Sequence, residues 1–330
     1  MPDSREVLTR PAPPPDLTLA YGPHPDHVID LRLPASLPAP LVVMIHGGFW
    51  RAAYDRTHTG PLTSALAAAG YVVAIPEFRR TGQEGGGWPG TFDDVTAALD
   101  AVPRLLAPYS EDPPVLLGHS AGGHLAVWAA TRLSPPGASP QSPSPSSHPD
   151  TDHSGGGGLG GDGVDGGGVD TDRPDAGHVD ARRPDGGRWA TARPPVTRPA
   201  TASSATARPA TGPHAGVRVQ AVVSLAGCVD LAMCSALGLD HGATDLLLGG
   251  PPPAVPDRYA LADPAQLPTP AVPVTLLHGT ADDRVPIEVS RSYAERTGVP
   301  LRELPGTGHF ALIDPTTPAW PHVLAALSQR

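Results

Sequence analysis

The stretch PVLLGHSAGG at residues 114–123 decides the fold. The apolar run PVLL ends at the motif GHSAG (118–122), and small residues at helical spacing follow. A G-x-S-x-G motif between a strand and a helix forms a strained turn that lifts the serine hydroxyl above the edge of a sheet. Its glycines are required because the tight turn leaves no room for side chains beside the serine. The sequence therefore predicts that Ser120 is a nucleophile; a glycine-rich helix start without a chemical role is the alternative.

A second glycine motif, HGGFW (46–50), directly follows the wholly apolar run LVVMI (41–45). Such a run is typical of a strand that is buried on both faces of a parallel sheet. Glycines at its end allow backbone N–H groups to approach a developing oxyanion, together with the N–H of the residue after the nucleophile. An ordinary turn at a strand end is the alternative. The predicted oxyanion hole consists of Gly47, Gly48, Phe49 and Ala121.

Two adjacent carboxylates lie in LHGTADDRVP (277–286), which continues the apolar run VTLL. A carboxylate on the loop after a late strand is placed to accept a hydrogen bond from an imidazole and to stabilise the imidazolium. Asp282 or Asp283 could serve. We favour Asp282 and expect Asp283 to be solvated or paired with Arg284.

The general base is predicted from PGTGHF (305–310), which follows the last predicted strand. His309 lies 27 residues after Asp282. The chain order Ser120, Asp282, His309 is the order in which one class of sheet-based enzymes carries its catalytic triad. A histidine on the surface without a role is the alternative.

These motifs together resemble the α/β-hydrolase superfamily over roughly 16–133 and 215–330. HGGFW is more similar to the HGG-x-W signature of serine arylformamidases (kynurenine formamidase-like) than to the HGGG of lipase-like relatives. GHSAGGHLA resembles the elbow of the same HGG-type esterase branch, which includes feruloyl-esterase-like carboxylesterases. The resemblance implies a serine hydrolase that cleaves a small ester or amide through an acyl-enzyme, without a cofactor. An oligopeptidase-type aminopeptidase and a non-catalytic binding module with the same fold are the alternatives.

Strand and helix patterns alternate along most of the chain, which predicts an α/β fold with a mostly parallel sheet and helices on both faces. The predicted strands are two within 16–33, then 41–45, 71–75, 115–117, 217–225, 272–277 and 301–304. The predicted helices are 61–69, 91–106, 120–133, 287–297 and 310–328. Residues 226–267 give a mixed pattern.

The alternation stops at 134–214, a stretch with low-complexity Ser/Pro, Gly/Asp and Arg/Pro/Ala/Thr tracts. Such a composition cannot bury enough apolar area to offset the entropy of ordering the chain. The sequence therefore predicts hydrolase-domain segments at 1–133 and 215–330, separated by a disordered insertion. Because the insertion leaves the chain after the elbow helix, we do not expect it to touch the triad.

Composition excludes several classes of partner and cofactor. The net charge is −10 and no basic stripe with aromatic residues appears, which argues against nucleic acid. All 23 basic residues are arginines, so neither a Schiff-base lysine nor a P-loop lysine is present. Cys228 and Cys234 have neither redox nor zinc spacing, so we predict two free thiols and no metal. No apolar run is long enough for a membrane span, and residues 1–15 lack a secretory signal pattern, so a cytoplasmic location is the default expectation.

Three further features are weaker. Trp50 and Trp88, with Phe49, are candidates for the substrate pocket or, equally, for the core. The glycines of GGGWPG (85–90) match a dinucleotide fingerprint, but the preceding strand does not open a βαβ unit, so we favour a loop at the pocket rim. GGLGGDGVD (157–165) matches one calcium-binding nonapeptide, and a single repeat cannot stack.

Overall fold

The computed structural model describes residues 4–132 and 217–328. The insertion predicted at 134–214 and the nonapeptide match within it lie outside the described residues. In the described part, eight strands form one sheet. The strands are β1 (Leu17–Ala20), β2 (Val28–Arg32), β3 (Leu41–Ile45), β4 (Val72–Pro76), β5 (Val115–His119), β6 (Ala221–Leu225), β7 (Val274–Gly279) and β8 (Leu301–Leu304).

Helices alternate with the strands along most of the chain, with short 3₁₀ turns at Ser4–Leu8, Arg56–Thr59, Pro264–Gln266 and His309–Ile313. The helices of the described residues are α1 (Gly60–Ala68), α2 (Gly90–Leu106), α3 (Ala121–Arg132), α4 (Leu231–Ala236), α5 (Leu239–Leu248), α6 (Pro256–Ala262), α7 (Glu288–Thr297) and α8 (Trp320–Ser328). Three of them, α4 to α6, account for the mixed pattern at 226–267. No helix in the described ranges has both the length and the apolar character needed to cross a bilayer.

The strands follow the order β1-β2-β4-β3-β5-β6-β7-β8 across the sheet. The first two strands pair antiparallel, and all pairs from β4 to β8 are parallel. This confirms the predicted mostly parallel sheet. In register, Ile45 lies opposite Gly118, and His119 lies opposite Leu225. The carboxyl ends of β3, β5 and β6 therefore meet at one edge, where the predicted motifs begin.

The core lies on both faces of the sheet, which explains why the central strands are apolar without alternation. In β3, Val43 and Ile45 pack into one buried cluster and Val42 and Met44 into the other. All four side chains are fully buried. Each contributes about 1.5–3 kcal/mol of burial free energy, so this strand is firmly fixed in the sheet. The loop that follows it consequently starts from a rigid point.

Two predicted elements differ most from the structure at their bounds. The helix predicted at 310–328 is a 3₁₀ turn at His309–Ile313 followed by α8, because Pro315 supplies no N–H and the Asp314 side chain caps the next residues instead. The strand predicted from 217 begins at Ala221, since the neighbouring β5 is preceded by two prolines that cannot donate to a ladder.

Candidate active site

Ser120 lies at the turn between β5 and α3 in a left-handed conformation, with φ of +56°. A residue with a side chain adopts this conformation at a cost of roughly 1–2 kcal/mol, so the surrounding structure must hold it. The Ser120 N–H donates to the Leu225 carbonyl at 2.8 Å, and its own carbonyl accepts from the N–H groups of His124 and Cys228, both at 3.2 Å. The backbone of the turn is therefore fixed on both sides.

Two glycines of the GHSAG motif are required by close backbone contacts. A Cβ on Gly118 would lie 2.1 Å from the Gly122 carbonyl oxygen, and one on Gly122 would lie 2.0 Å from the Ile45 carbonyl oxygen. Both contacts are with backbone, which cannot move aside as a flexible side chain could. The motif thus lets β3, β5 and α3 meet at the elbow.

The HGGFW loop packs directly against the elbow. A Cβ on Gly47 would lie 2.8 Å from the His119 carbonyl oxygen and 3.1 Å from the Ser120 Cβ. The next three residues, Gly48, Phe49 and Trp50, all have positive φ, from +48° to +109°. Successive backbone N–H groups in such turns form a concave anion-binding surface.

The N–H groups of Gly48, Phe49 and Ala121 have no protein acceptor within 4–132 and 217–328. For Ala121 this follows from its place as the first residue of α3, where no intrahelical partner exists. Gly47 and Ala121, two of the four residues predicted to form the oxyanion hole, lie next to Ser120, and Gly48 and Phe49 follow Gly47 in the same turn.

Asp282 and His309 are in direct contact, with 2.7 Å between Asp282 Oδ2 and His309 Nδ1. Asp282 Oδ1 accepts from the N–H groups of Arg284 and Val285, which folds the loop around the carboxylate. Burial alone would raise the pKa of Asp282, but hydrogen bonds from His278 and His309 lower it to about 2. Asp283 differs: its side chain is 71% exposed and lies 3.8 Å from Arg284.

His309 is tied to the elbow through its backbone. His119 Nε2 donates to the His309 carbonyl at 3.2 Å, and the two ring centroids are 4.5 Å apart. Burial, and then the neighbouring His309, lower the pKa of His119 well below its usual value. His119 is therefore neutral and carries its single proton on Nε2. This contact links the predicted base to the residue that precedes the predicted nucleophile.

Two buried groups that sequence reasoning did not assign contact the site. His278 donates from Nε2 to the Val285 carbonyl and lies 3.3 Å from Asp282 Oδ2. Glu77, at the end of β4, lies 2.9 Å from His46 of the HGGFW loop. The signal for Glu77 was available, because a carboxylate directly after the apolar run VVAIP is unusual for a buried strand end.

The three aromatic candidates differ in their surroundings. Trp50 is buried in the core and its ring contacts that of His124, with centroids 5.3 Å apart. Phe49 and Trp88 are half-buried against the same core. Trp88 lies on the 85–90 loop, where a Cβ on Gly86 would be 2.0 Å from the Arg80 carbonyl oxygen. The glycines there serve the packing of the loop itself.

Cys228 and Cys234 are free and buried. Across residues 4–132 and 217–328, no three His, Cys, Asp or Glu side chains cluster in a way that could hold a metal ion.

The chain is similar to known proteins in sequence and in structure. The BD-FAE family model matches residues 29–135. Two Mycobacterium tuberculosis proteins match: the probable carboxylic ester hydrolase LipM, 34% identical over 104 residues (31% of this chain), and the esterase LipQ, 30% identical over 129 residues (37% of this chain). The matched segments span only 24% and 30% of those relatives.

Solved structures align over nearly the whole chain. A truncated form of a carbohydrate esterase from gut microbiota aligns with a TM-score of 0.62 and 18% identity, covering 96% of this chain and 99% of that one. Esterase B from Lactobacillus Rhamnosis aligns with a TM-score of 0.59 and 16% identity, covering 98% and 88%. Together with the sheet order and the strand-turn-helix elbow at Ser120, these likenesses show that the chain has the α/β-hydrolase fold.

Proposed function

We propose that this protein is a serine hydrolase that cleaves a small carboxylic ester or an aryl formamide through an acyl-enzyme. Ser120 is the nucleophile, His309 the general base and Asp282 the triad acid. The observation that carries the proposal is the 2.7 Å contact between Asp282 and His309, since His309 is also tied to the residue before a strained serine.

The contacts of His309 determine which of its ring nitrogens can accept a proton. Its Nδ1 faces the Asp282 carboxylate, which is an acceptor, so the ring proton lies on Nδ1. Nε2 is then free to take the Ser120 hydroxyl proton as the oxygen attacks the carbonyl. The resulting imidazolium is stabilised by Asp282, which remains ionised at neutral pH because its pKa is about 2.

The developing negative charge is held by backbone donors. We assign this role to the N–H groups of Gly48 and Phe49, in the turn after β3, and of Ala121, the first residue of α3. His309 then donates its proton to the leaving group, which departs and leaves the acyl group on Ser120. In the second half of the cycle, His309 activates a water that releases the acid and restores the serine.

Carboxylic esters are the first substrate class to test. LipM and LipQ are named as ester hydrolases, and a third match, a probable isoprenylcysteine α-carbonyl methylesterase from Arabidopsis thaliana, is 30% identical over 114 residues. The HGGFW motif supports aryl formamides as the second class. Phe49 of the HGGFW loop and Trp88, both half-buried against the same core, are our candidates for contact with substrate, and Trp50 lies edge-on to Phe49 with ring centroids 6.4 Å apart.

A substrate panel tests the proposal. Purified protein is assayed with p-nitrophenyl esters of graded acyl length and with N-formylkynurenine, alongside Ser120→Ala. We expect hydrolysis of short esters by the wild type alone, and labelling of Ser120 by a fluorophosphonate probe. A wild-type protein that neither hydrolyses any panel member nor takes the label would contradict the proposal and support a non-catalytic binding module.

A further inference from the structure

Glu77 is a buried carboxylate that the proposed mechanism does not use. Its side chain is 1% exposed, at the end of β4 behind the HGGFW loop. Burial alone would raise the pKa of Glu77, but His46, Arg80 and the Arg56 N–H lower it to about 2. Glu77 is therefore a buried anion. A buried charge costs free energy unless it is well paired, so the partner of Glu77 indicates why the carboxylate is there.

That partner, His46, forms hydrogen bonds from both sides of its ring. Its Nε2 lies 2.9 Å from Glu77 Oε1, and its Nδ1 lies 2.9 Å from the Gly47 carbonyl oxygen. Because both neighbours are acceptors, the two hydrogen bonds require a proton on each ring nitrogen. The ring also stacks on Phe78, with centroids 4.4 Å apart and planes 13° apart. Its plane and its two donors are thus fixed.

The contact with Gly47 determines the direction of a neighbouring N–H. The peptide bond between Gly47 and Gly48 is trans, since the cis bonds of the described residues are Leu37–Pro38 and Trp88–Pro89. In a planar trans peptide the C=O and the following N–H point in opposite directions. His46 holds the Gly47 carbonyl on its own side, so the Gly48 N–H must point away from the His46 ring.

We propose that Glu77 and His46 are positioning residues that aim the Gly48 N–H at the oxyanion formed on Ser120. The inference rests on the proposed serine hydrolase function and extends it to a carboxylate outside the triad. Glu77 fixes the orientation of the His46 ring, and the ring fixes the direction of the Gly47 carbonyl. Because the Gly47–Gly48 peptide is planar, the direction of the Gly48 N–H is then fixed as well. Gly48 has φ of +109° and no side chain, and its own carbonyl, which belongs to the next peptide, accepts from the Arg51 N–H at 3.0 Å.

The neighbouring ion pairs provide a matched control. Arg56 donates from Nε to Asp30 Oδ2 at 2.7 Å, and its backbone N–H donates to Glu77 Oε2 at 3.0 Å. Asp30 is also buried and also accepts from Thr18, but it does not contact His46. Asp30→Asn therefore perturbs the same buried network without changing the chain of contacts to Gly48.

The test compares an oxygen ester with its sulfur analogue. The kcat/KM of p-nitrophenyl acetate and of its thionoacetate counterpart is measured for the wild type, His46→Phe, His46→Asn, Glu77→Gln and Asp30→Asn. Sulfur is a weak hydrogen-bond acceptor, so a well-aimed Gly48 N–H favours the oxygen ester. A misdirected N–H therefore reduces the ratio of kcat/KM for the oxygen ester to kcat/KM for the thionoester. A purely structural substitution lowers both rates together and leaves the ratio unchanged.

We expect His46→Phe, which keeps the aromatic ring but not the donor, to lower kcat/KM for the oxygen ester by about 100-fold and to reduce the ratio strongly. His46→Asn should retain most of the ratio, because its amide nitrogen can occupy the place of Nδ1 and donate to the Gly47 carbonyl. Glu77→Gln should show a smaller reduction, and Asp30→Asn should keep the wild-type ratio.

Several results would overturn the inference while leaving the proposed function intact. One is an active wild type with an unchanged ratio in folded His46→Phe; another is an equal reduction in Asp30→Asn. If His46→Phe does not fold, Glu77→Gln decides, and an unchanged ratio there overturns the inference. A wild type without any esterase activity contradicts the proposed function instead.

Discussion

The two halves of the candidate site are held by different kinds of contact. On the elbow side, the loops after β3 and β5 are fixed by backbone packing, where a single Cβ on Gly118 or Gly122 would lie within 2.1 Å of a carbonyl oxygen. On the acid–base side, the loops after β7 and β8 are fixed by side-chain hydrogen bonds that converge on Asp282. Substitution of the packed glycines on the first side should therefore lower the stability of the fold, whereas substitution of Asp282 or His309 on the second side should lower activity.

This difference in the kind of contact agrees with the chemical role proposed for each side of the site. A nucleophile and its oxyanion donors act best when they are rigid, because reorganisation during the reaction costs free energy. An acid–base pair must instead respond to a change of charge, and hydrogen-bonded carboxylate and imidazole groups do so without moving the backbone. The predictions below test this division between sterics and polar contacts.

Removing the nucleophile should have the largest effect. Ser120→Ala is expected to lower kcat for a short p-nitrophenyl ester by at least about 10⁴-fold, because no other group can form the acyl-enzyme. The melting temperature should change little, since the turn is held by backbone hydrogen bonds that alanine retains. Kinetics and circular dichroism of the purified variant measure both. Activity near the wild-type level in the variant would reject Ser120 as nucleophile.

Asp282→Asn should have the next largest effect, about 10⁴-fold on kcat. Asparagine keeps an oxygen that can accept from the Arg284 and Val285 N–H groups, so the loop should stay folded. Its amide cannot stabilise an imidazolium, and it favours the wrong ring tautomer of His309. Steady-state kinetics with thermal melting provide the measurement. If Asp282→Asn lost stability as well as activity, the proposed difference between the steric side and the acid–base side of the site would be contradicted.

Gly122→Ala tests the steric side. Its Cβ would lie 2.0 Å from the Ile45 carbonyl oxygen, and backbone shifts of this kind cost typically about 1–3 kcal/mol or more. Gly298→Ala is the control for backbone strain alone, because Gly298 has open space around it but φ of +72°, a conformation that costs alanine roughly 1–2 kcal/mol. Urea unfolding should show a larger loss of free energy of unfolding for Gly122→Ala. Equal losses would show that packing at the elbow is not what requires glycine.

The steric half of the site was predictable from sequence. GHSAG and HGGFW can be recognised in the sequence because close backbone contacts require glycine at fixed positions. The apolar runs before them show that each motif follows a strand. Triad order and loop position likewise predicted Asp282 and His309 as partners, which the structure brings within hydrogen-bond distance.

The supporting polar contacts could not be predicted. One is the hydrogen bond from His119 to the His309 carbonyl, between residues that are 190 positions apart in the sequence. The other is the contact of His46 with Glu77, 31 positions apart. Neither histidine differs by type or spacing from one in a solvated loop. Their roles follow from the topology, because the carboxyl ends of the parallel strands lie at one edge of the sheet and bring together loops that are remote in the chain. The break between His309–Ile313 and α8 was missed because apolar spacing continues across Pro315.

Acid should weaken the protein through its buried carboxylates. The pKa values of Glu77, Asp94, Asp282 and Asp314 are all lowered to about 2, against ordinary values of 4.5 for glutamate and 3.8 for aspartate. A carboxyl group whose pKa is lower when folded stabilises the fold above its unfolded pKa and loses this as pH falls toward the folded value. We expect the free energy of unfolding to decline between about pH 5 and 2. The slope of this decline should be smaller in Asp282→Asn; an identical slope would exclude a contribution from the Asp282 contacts.

The smallest effect should come from Asp283→Asn, next to the predicted triad acid. The Asp283 side chain is 71% exposed, and its nearest cation, Arg284 Nε, is 3.8 Å away. Exposed ion pairs of this kind contribute about 0–1 kcal/mol to stability. Asp283 also lacks the contact with His309 that Asp282 has, so it cannot orient the imidazole. Both kcat/KM and the melting temperature should therefore stay close to wild type. The pair Asp282→Asn and Asp283→Asn changes the same atoms one residue apart, and of the two carboxylates Asp282 is the one in contact with His309. Equal losses of activity in the two variants, or a larger loss in Asp283→Asn, would mean that the acid–base side is organised differently from the geometry described above.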